Sequence, residues 1–95
     1  MKKNNPLARI TKSDHTLIQE LDDEAVLLNL ENNQYYCLDT DSLRMFDVLI
    51  TSANLSVAYT VLRGEYDVTG EKLWDDLIKF IDDLAKSGLI RVLDE

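Results

Sequence analysis

The side chains that could carry out chemistry are few in this chain of 95 residues, and no motif brings them together. His15 is the only histidine and Cys37 the only cysteine. Because no nucleophile motif accompanies the histidine, the sequence does not favour covalent catalysis. A lone cysteine also excludes an internal disulfide and a Cys-x-x-Cys redox pair. We interpret Cys37 as a small, half-buried residue of a strand.

Metal and cofactor sites have equally little support. One histidine and one cysteine cannot supply the four ligands of a common zinc site. The acidic runs Asp22-Asp23-Glu24 and Asp39-Thr40-Asp41 lack calcium-loop spacing and are typical of a turn and of a helix start. The glycine motifs of nucleotide-binding loops are missing from the sequence. We therefore expect no enzymatic activity, no metal and no cofactor.

The charge of the chain restricts its partners. The net charge is −8, and the basic residues are scattered. Nucleic-acid phosphates and anionic membrane surfaces both require clustered Lys and Arg, so we expect neither as a partner. A basic or neutral peptide is compatible with this charge. With no apolar run near eighteen residues and no apolar signal segment, we expect a cytoplasmic protein.

The most informative stretch is residues 25–39, AVLLNLENNQYYCLD. Asn32-Asn33 lies between two apolar runs, and this pattern predicts a hairpin of the strands Ala25–Leu30 and Gln34–Leu38. An earlier strand is predicted at His15–Glu20. The strand Gln34–Leu38 would then lie at a sheet edge, where unpaired N–H and C=O groups can accept another chain.

Side-chain alternation assigns the two faces of the strand Gln34–Leu38. Tyr36 and Leu38 share one face, which we predict to point into the core. Tyr35 and Cys37 share the opposite face.

Three helices are predicted after the strands: Asp41–Ile50, Ser56–Glu65 and Gly70–Ser87, the last ended by Gly88. The third is the clearest, and its apolar residues cover about 160° of arc against about 100° for an ordinary core stripe. Part of that arc would therefore face something other than the core. We interpret the aspartates of this helix as a solvated face, and contact with a basic peptide is the alternative. They are Asp75, Asp76, Asp82 and Asp83.

The strands followed by helices predict an α+β fold, a three-stranded antiparallel sheet followed by three helices. Residues 1–13 are predicted to be a flexible N-terminal arm, with a short extended piece at Leu7–Ile10, and residues 14–95 one domain. The closing segment Leu89–Leu93 is apolar enough to dock on that domain.

Four motifs in the same order resemble the PqqD-like family. They are the strand AVLLNL from Ala25, the run YYCLD from Tyr35, the segment EYDV from Glu65 and the closing LAKSGLI from Leu84. The resemblance covers about residues 15–92. The chain departs from the family at Asp39, where Asn is usual, and at Cys37, where glycine is common. Asn and Asp both cap helices, so the first departure leaves the pattern intact.

The resemblance implies a fold similar to a winged helix-turn-helix and a function in recognising ribosomally made, post-translationally modified peptides. Such a protein binds the leader segment of a precursor peptide as an added β-strand, in a groove between the third predicted strand and the third helix. The residues carried over as leader-binding are Leu28, Leu30, Gln34, Tyr35, Tyr36, Cys37, Leu38, Leu73, Trp74, Asp76, Leu77, Phe80 and Ile81.

Within the family, the size and the Tyr66-Asp67-Val68 segment most resemble the stand-alone leader-binding protein of lasso-peptide biosynthesis. That resemblance implies a leader with a Tyr-x-x-Pro motif and two partners, a leader peptidase and an ATP-dependent cyclase. A partner of a radical-based or cyclodehydrating enzyme is the alternative. Two alternative hypotheses of other functional classes are a DNA-binding winged helix, which the charge disfavours, and a module that dimerises weakly through its edge strand.

Overall fold

The structure, a computed structural model, describes residues 5–93. Within this range two antiparallel sheets accompany three helices. The elements in chain order are β1 (Arg9–Lys12), β2 (Thr16–Leu21), β3 (Glu24–Asn29), β4 (Tyr35–Leu38), α1 (Thr40–Thr51), α2 (Leu55–Glu65), α3 (Gly70–Lys86) and β5 (Ile90–Leu93). The predicted α+β fold, with three antiparallel strands followed by three helices, is confirmed.

The larger sheet has the strand order β2-β3-β4. The register of β3 and β4 places Leu27 opposite Tyr36 and Leu28 opposite Tyr35. Leu27 and Leu38 are buried, Tyr36 is half-buried and Tyr35 is 67% exposed. The alternation predicted for this strand is therefore confirmed, with the helices covering one face of the sheet.

The smaller sheet differs from the sequence prediction. β1 pairs with β5 over four residues, and Ile10 is only 2% exposed. The last residues of the predicted loose arm therefore form a strand of the folded body. Local pattern could not reveal this strand, because its partner lies about 80 positions later in the chain. Residues 1–4 of the predicted arm lie outside the described residues.

The core lies between the larger sheet and the helices, and α3 supplies much of it. Its buried residues form one face of the helix: Leu73, Leu77, Phe80, Ile81 and Leu84. The Thr69 hydroxyl caps its start by accepting a hydrogen bond from the Lys72 N–H at 3.2 Å. Gly88 follows its end with φ of 72°. The predicted termination by glycine is confirmed.

A buried asparagine joins the β3–β4 turn to the end of α3. Asn29 is 2% exposed. Its Oδ1 accepts the Glu31 N–H at 2.9 Å, and its Nδ2 donates to the Ser87 carbonyl at 3.0 Å. Asn33, in the same turn, has φ of 61°, a left-handed conformation that asparagine tolerates. The Asn29 side chain therefore helps to fix the separation of β4 from the C-terminal end of α3.

A glycine pair tests this junction. Gly88 has left-handed backbone angles, which a residue with a Cβ rarely adopts. A Cβ added there would also lie only 2.7 Å from the Asn29 Nδ2. Gly88→Ala should therefore lower the free energy of unfolding by at least about 1 kcal/mol. Gly64 is helical, and a Cβ there meets nothing within 4 Å. Gly64→Ala should raise stability by about 0.5–1 kcal/mol. Urea unfolding of both variants measures the difference, and equal effects would contradict the role given to Gly88.

The cap of α1 predicts a pH dependence. The Asp39 side chain accepts the Ser42 N–H at 2.9 Å, and this bond lowers the pKa of the carboxyl below its ordinary 3.8. The charged form therefore stabilises the fold, fully above the unfolded pKa and progressively less as the pH falls through the lower folded pKa. As the pH drops below about 4, the free energy of unfolding of the wild type should fall relative to that of Asp39→Asn. Urea unfolding of both proteins measures this difference. A difference that is constant with pH would contradict a charged cap.

Candidate functional site

One edge of β4 is open. β3 pairs with its inner side, and no strand among residues 5–93 pairs with its outer side. The Asn29 N–H donates to the Gln34 carbonyl at 2.8 Å, which marks that pair as hydrogen-bonded. Because such pairs alternate along antiparallel strands, the N–H and C=O groups of Tyr35 and Cys37 point away from β3. These four groups can pair with an extended chain.

The opposite edge of this sheet, formed by β2, is less accessible at its start. The Lys12 Nζ donates to the Thr16 carbonyl at 2.8 Å, and the Thr16 N–H donates to the Ser13 carbonyl at 3.1 Å. Glu20 adds a charge near the other end of β2, and charged residues discourage strand addition. β4 is therefore the better candidate for binding another strand.

An aromatic pair connects β4 to α3. The ring centroids of Tyr36 and Phe80 are 6.1 Å apart with an interplanar angle of 72°, an edge-to-face contact. Phe80 is 8% exposed, and Tyr36 is half-buried. A strand added outside β4 would place the residue opposite Tyr36 on the same face as Tyr36, toward α3. We call the space between β4 and this side of α3, bordered by Tyr36 and Phe80, the β4–α3 groove.

The β4–α3 groove is acidic at Asp83. Burial raises the pKa of Tyr36, and the charges of Asp83 and Asp39 raise it further. Asp83 is half-buried, and none of the ion pairs among residues 5–93 includes it. Asp76, by contrast, pairs with Lys72 at 3.3 Å. Asp83 therefore leaves an uncompensated negative charge next to the aromatic pair.

Trp74 lies on the other flank of α3. Its ring centroid is 5.5 Å from that of Tyr59 on α2, at an interplanar angle of 81°. On a helix Trp74 and Phe80 are about 120° apart. The structure therefore does not bring Trp74 to the β4–α3 groove with Tyr36. The wide apolar arc of α3 is accounted for by contacts of opposite flanks with β4 and α2.

Most of the other predicted α3 residues support the groove from beneath. Leu73, Leu77 and Ile81 are buried in the core, where a ligand cannot touch them without displacement of the neighbouring side chains. Asp76 is exposed. Their role as leader-binding residues stays a prediction.

The residues predicted on the sheet divide between its two faces. Tyr36 and Leu38 face the helices, whereas Leu28 is half-buried on the outer face opposite Tyr35. Leu30, which follows β3, and Gln34, which precedes β4, are exposed.

Cys37 differs from its predicted environment, because it is exposed rather than half-buried. The reason is that the outer face, to which Cys37 belongs, is not covered by any other element within residues 5–93.

The sequence assigns no role to Asn29, and it marks Asp83 only as one of four aspartates that could contact a basic peptide. Asn29 is a polar residue in an otherwise apolar strand, and that contrast was an available signal. Asp83 is three residues after Phe80, so the two share one side of α3. Nothing in the sequence indicated which of the four aspartates of α3 would lie beside β4.

No group of three or more His, Cys, Asp and Glu residues in the described part of the chain could hold a metal ion. Over the same residues, 5–93, none of the helices has the length and apolar character needed to cross a membrane.

Two solved structures are similar to this one. The first is described as TbiB1 in complex with the TbiA(beta) leader peptide; it is 28% identical, with a TM-score of 0.78, over 85% of this chain and 94% of that one. The second is described as lasso peptide synthetase B1 complexed with the leader peptide; it is 17% identical, with a TM-score of 0.77, over 87% of this chain and 98% of that one. At 17% identity the second likeness concerns the fold alone.

The chain matches no curated protein sequence. Residues 24–90 match the family described as coenzyme PQQ synthesis protein D (PqqD). This range contains β3, β4 and all three helices, and so includes both sides of the β4–α3 groove. The family resemblance predicted from the sequence motifs is confirmed: the chain belongs to the PqqD family.

Proposed function

We propose that this chain is a non-catalytic recognition protein that binds the leader segment of a ribosomally made precursor peptide. The leader adds to β4 as a further strand and lies in the β4–α3 groove. The observation that carries this proposal is the open edge of β4 beside the Tyr36–Phe80 pair. The similarity to TbiB1, whose structure is described as a complex with a leader peptide, supports it.

The main chain of β4 supplies the part of the affinity that tolerates sequence change. The outward N–H and C=O groups of Tyr35 and Cys37 bond a peptide of any sequence except at proline. Side chains that point toward α3 supply specificity. A leader that is disordered when free must be ordered on binding, so a few well-buried contacts have to offset that entropy.

The biosynthetic setting is proposed by analogy. A lasso-peptide pathway, which the sequence motifs resemble most, would provide a leader peptidase and an ATP-dependent cyclase as partners in the cytoplasm. The more similar of the two solved structures is described as a complex with a leader peptide. A radical-based or cyclodehydrating enzyme is the alternative partner. The free protein is proposed to be a monomer or a weak dimer through β4, which light scattering with and without peptide distinguishes.

Replacing one backbone N–H tests strand addition. The Cys37 N–H points away from β3, so Cys37→Pro removes a donor from the open edge without breaking a bond to β3. We expect a fold that is retained and a peptide affinity that falls at least about tenfold. The probes are the TbiA(beta) leader peptide and binders selected from a phage-displayed library of random peptides long enough to span β4. Isothermal titration calorimetry measures their affinity.

Two controls accompany this variant. Cys37→Ser keeps the N–H and the size of the side chain, and it should bind as the wild type does. Circular dichroism reports whether Cys37→Pro remains folded. Unchanged affinity in a folded Cys37→Pro protein would exclude β4 as the binding strand, and failure to select any peptide would overturn the proposed function.

The charge of Asp83 predicts a coupling to a basic residue of the peptide. In a selected peptide with lysine opposite Tyr36, lysine-to-alanine substitution should weaken binding to the wild type about fivefold. The same substitution should have little effect on Asp83→Asn, because the charge partner is already gone. A double-mutant cycle by calorimetry measures this coupling.

Asp75 provides the matched control for the charge of Asp83. It is an exposed aspartate of the same helix, about 140° around α3 from Phe80 and about 12 Å along the axis from Asp83. Asp75→Asn should leave the effect of the peptide lysine unchanged. Equal coupling to both aspartates would indicate general attraction to an acidic protein rather than a contact in the groove.

A further inference from the structure

The outer face of the larger sheet carries exposed apolar residues next to the open edge of β4. The strand register places Leu17, Leu28 and Tyr35 in one row across β2, β3 and β4. Leu17 and Tyr35 are both exposed, and Leu28 is half-buried. This face is opposite to the one that packs on the helices, so it is separate from the β4–α3 groove.

The same face contains a cavity near the C-terminal end of β4. Its volume is about 240 Å³, and it is open to solvent. It is lined by Leu21, Glu24, Ala25, Val26, Cys37, Leu38 and Asp39. Leu21, Val26 and Cys37 belong to the outer face by register, one from each strand. The cavity therefore extends across the sheet up to the edge strand itself. We call it the outer cavity.

Cys37 is the part of the outer cavity nearest to an added strand. In an antiparallel strand bound to β4, the residues opposite Tyr35 and Cys37 project to the outer face, whereas the residue opposite Tyr36 projects toward α3. The short side chain of Cys37 leaves room above it. A long side chain of the peptide can therefore lie across Cys37 and reach Val26.

The charges at the rim restrict which side chain fits. Glu24 and Asp39 line the outer cavity, and neither belongs to an ion pair of the described residues. Leu21 and Val26 supply the apolar side chains of the outer cavity, and Cys37 adds its weakly polar thiol. Ala25 and Leu38 line it with their side chains turned toward the helices. An acidic side chain would be repelled there, whereas a large aliphatic or aromatic side chain would remove the exposed apolar surface of Leu21 and Val26 from water.

We propose that the outer cavity is a second subsite for the bound peptide, and that it takes a large apolar side chain from the residue opposite Cys37. The proposal rests on the proposed function, because the peptide must first add to β4. Successive residues of the peptide would then be recognised on opposite faces of the sheet. The β4–α3 groove would select the residue opposite Tyr36, and the outer cavity would select the residue opposite Cys37.

Filling the outer cavity tests the proposal. Random peptides displayed on phage are selected on the wild type, on Cys37→Tyr and on Cys37→Ser. On the wild type and Cys37→Ser, we expect enrichment of Leu, Ile, Met or Phe and depletion of Asp and Glu at the position opposite Cys37. Cys37→Tyr fills the space above the sheet, so it should lose this preference and keep the preference opposite Tyr36.

The position opposite Cys37 is identified chemically. A cysteine, activated as a thionitrobenzoate mixed disulfide, is moved through a selected peptide one residue at a time. The Cys37 thiolate displaces thionitrobenzoate and forms a disulfide to the peptide, and the fastest release of thionitrobenzoate marks the facing residue. Calorimetry then compares the selected peptide with its alanine variant at that residue.

The expected loss on alanine substitution is about tenfold for the wild type and for Cys37→Ser, and much smaller for Cys37→Tyr. Equal losses in all three proteins would overturn the second subsite, as would selection without a preference at this position; strand addition to β4 would stand in both cases. If no library peptide binds the wild type, the proposed function fails, and the second subsite fails with it.

Discussion

The hydrogen bonds of Asn29 set the geometry on which the candidate site depends. This side chain is almost completely buried, and it joins the β3–β4 turn to the last turn of α3. A buried amide must have its donors and acceptors satisfied, so the turn and the helix end cannot separate without a cost of about 1–3 kcal/mol for each group left unpaired. The Thr16 hydroxyl donates to the Leu89 carbonyl at 2.9 Å and so fixes the segment just after α3 to the start of β2. These bonds therefore restrain the end of the larger sheet where β4 begins relative to the C-terminal end of α3.

This preorganisation matters because β4 is short. A strand of four residues offers few main-chain bonds, so the ordering of a flexible ligand consumes much of what those bonds contribute. A rigid groove avoids a second ordering cost on the side of the protein. The edge-to-face contact of Tyr36 and Phe80 adds to that rigidity, because it holds the two rings that border the β4–α3 groove against each other.

Sequence patterns predicted the elements well where the information was local. The Asn32-Asn33 turn, the glycine after α3 and the faces of β4 all follow from the chemistry of neighbouring residues. The pairing of β1 with β5 could not be predicted in the same way, because each strand is four residues long and neither has an alternating pattern that identifies its partner. Trp74 shows the limit for the site. Its membership of an apolar arc was visible, but whether that flank of α3 meets β4 or α2 depends on helix packing.

The two ends of β4 have a further consequence. Asn33, in its left-handed conformation, lies before the strand, and the Asp39 cap starts α1 directly after it. The usable edge is bounded on both sides, so a guest chain has few ways to slide along it. If a peptide is seated there in one register, the distance to any later residue of that peptide is fixed by counting. The strand would then set the distance from β4 to each later bond of the peptide. Adding or removing residues after the bound segment would change which bond a processing enzyme reaches.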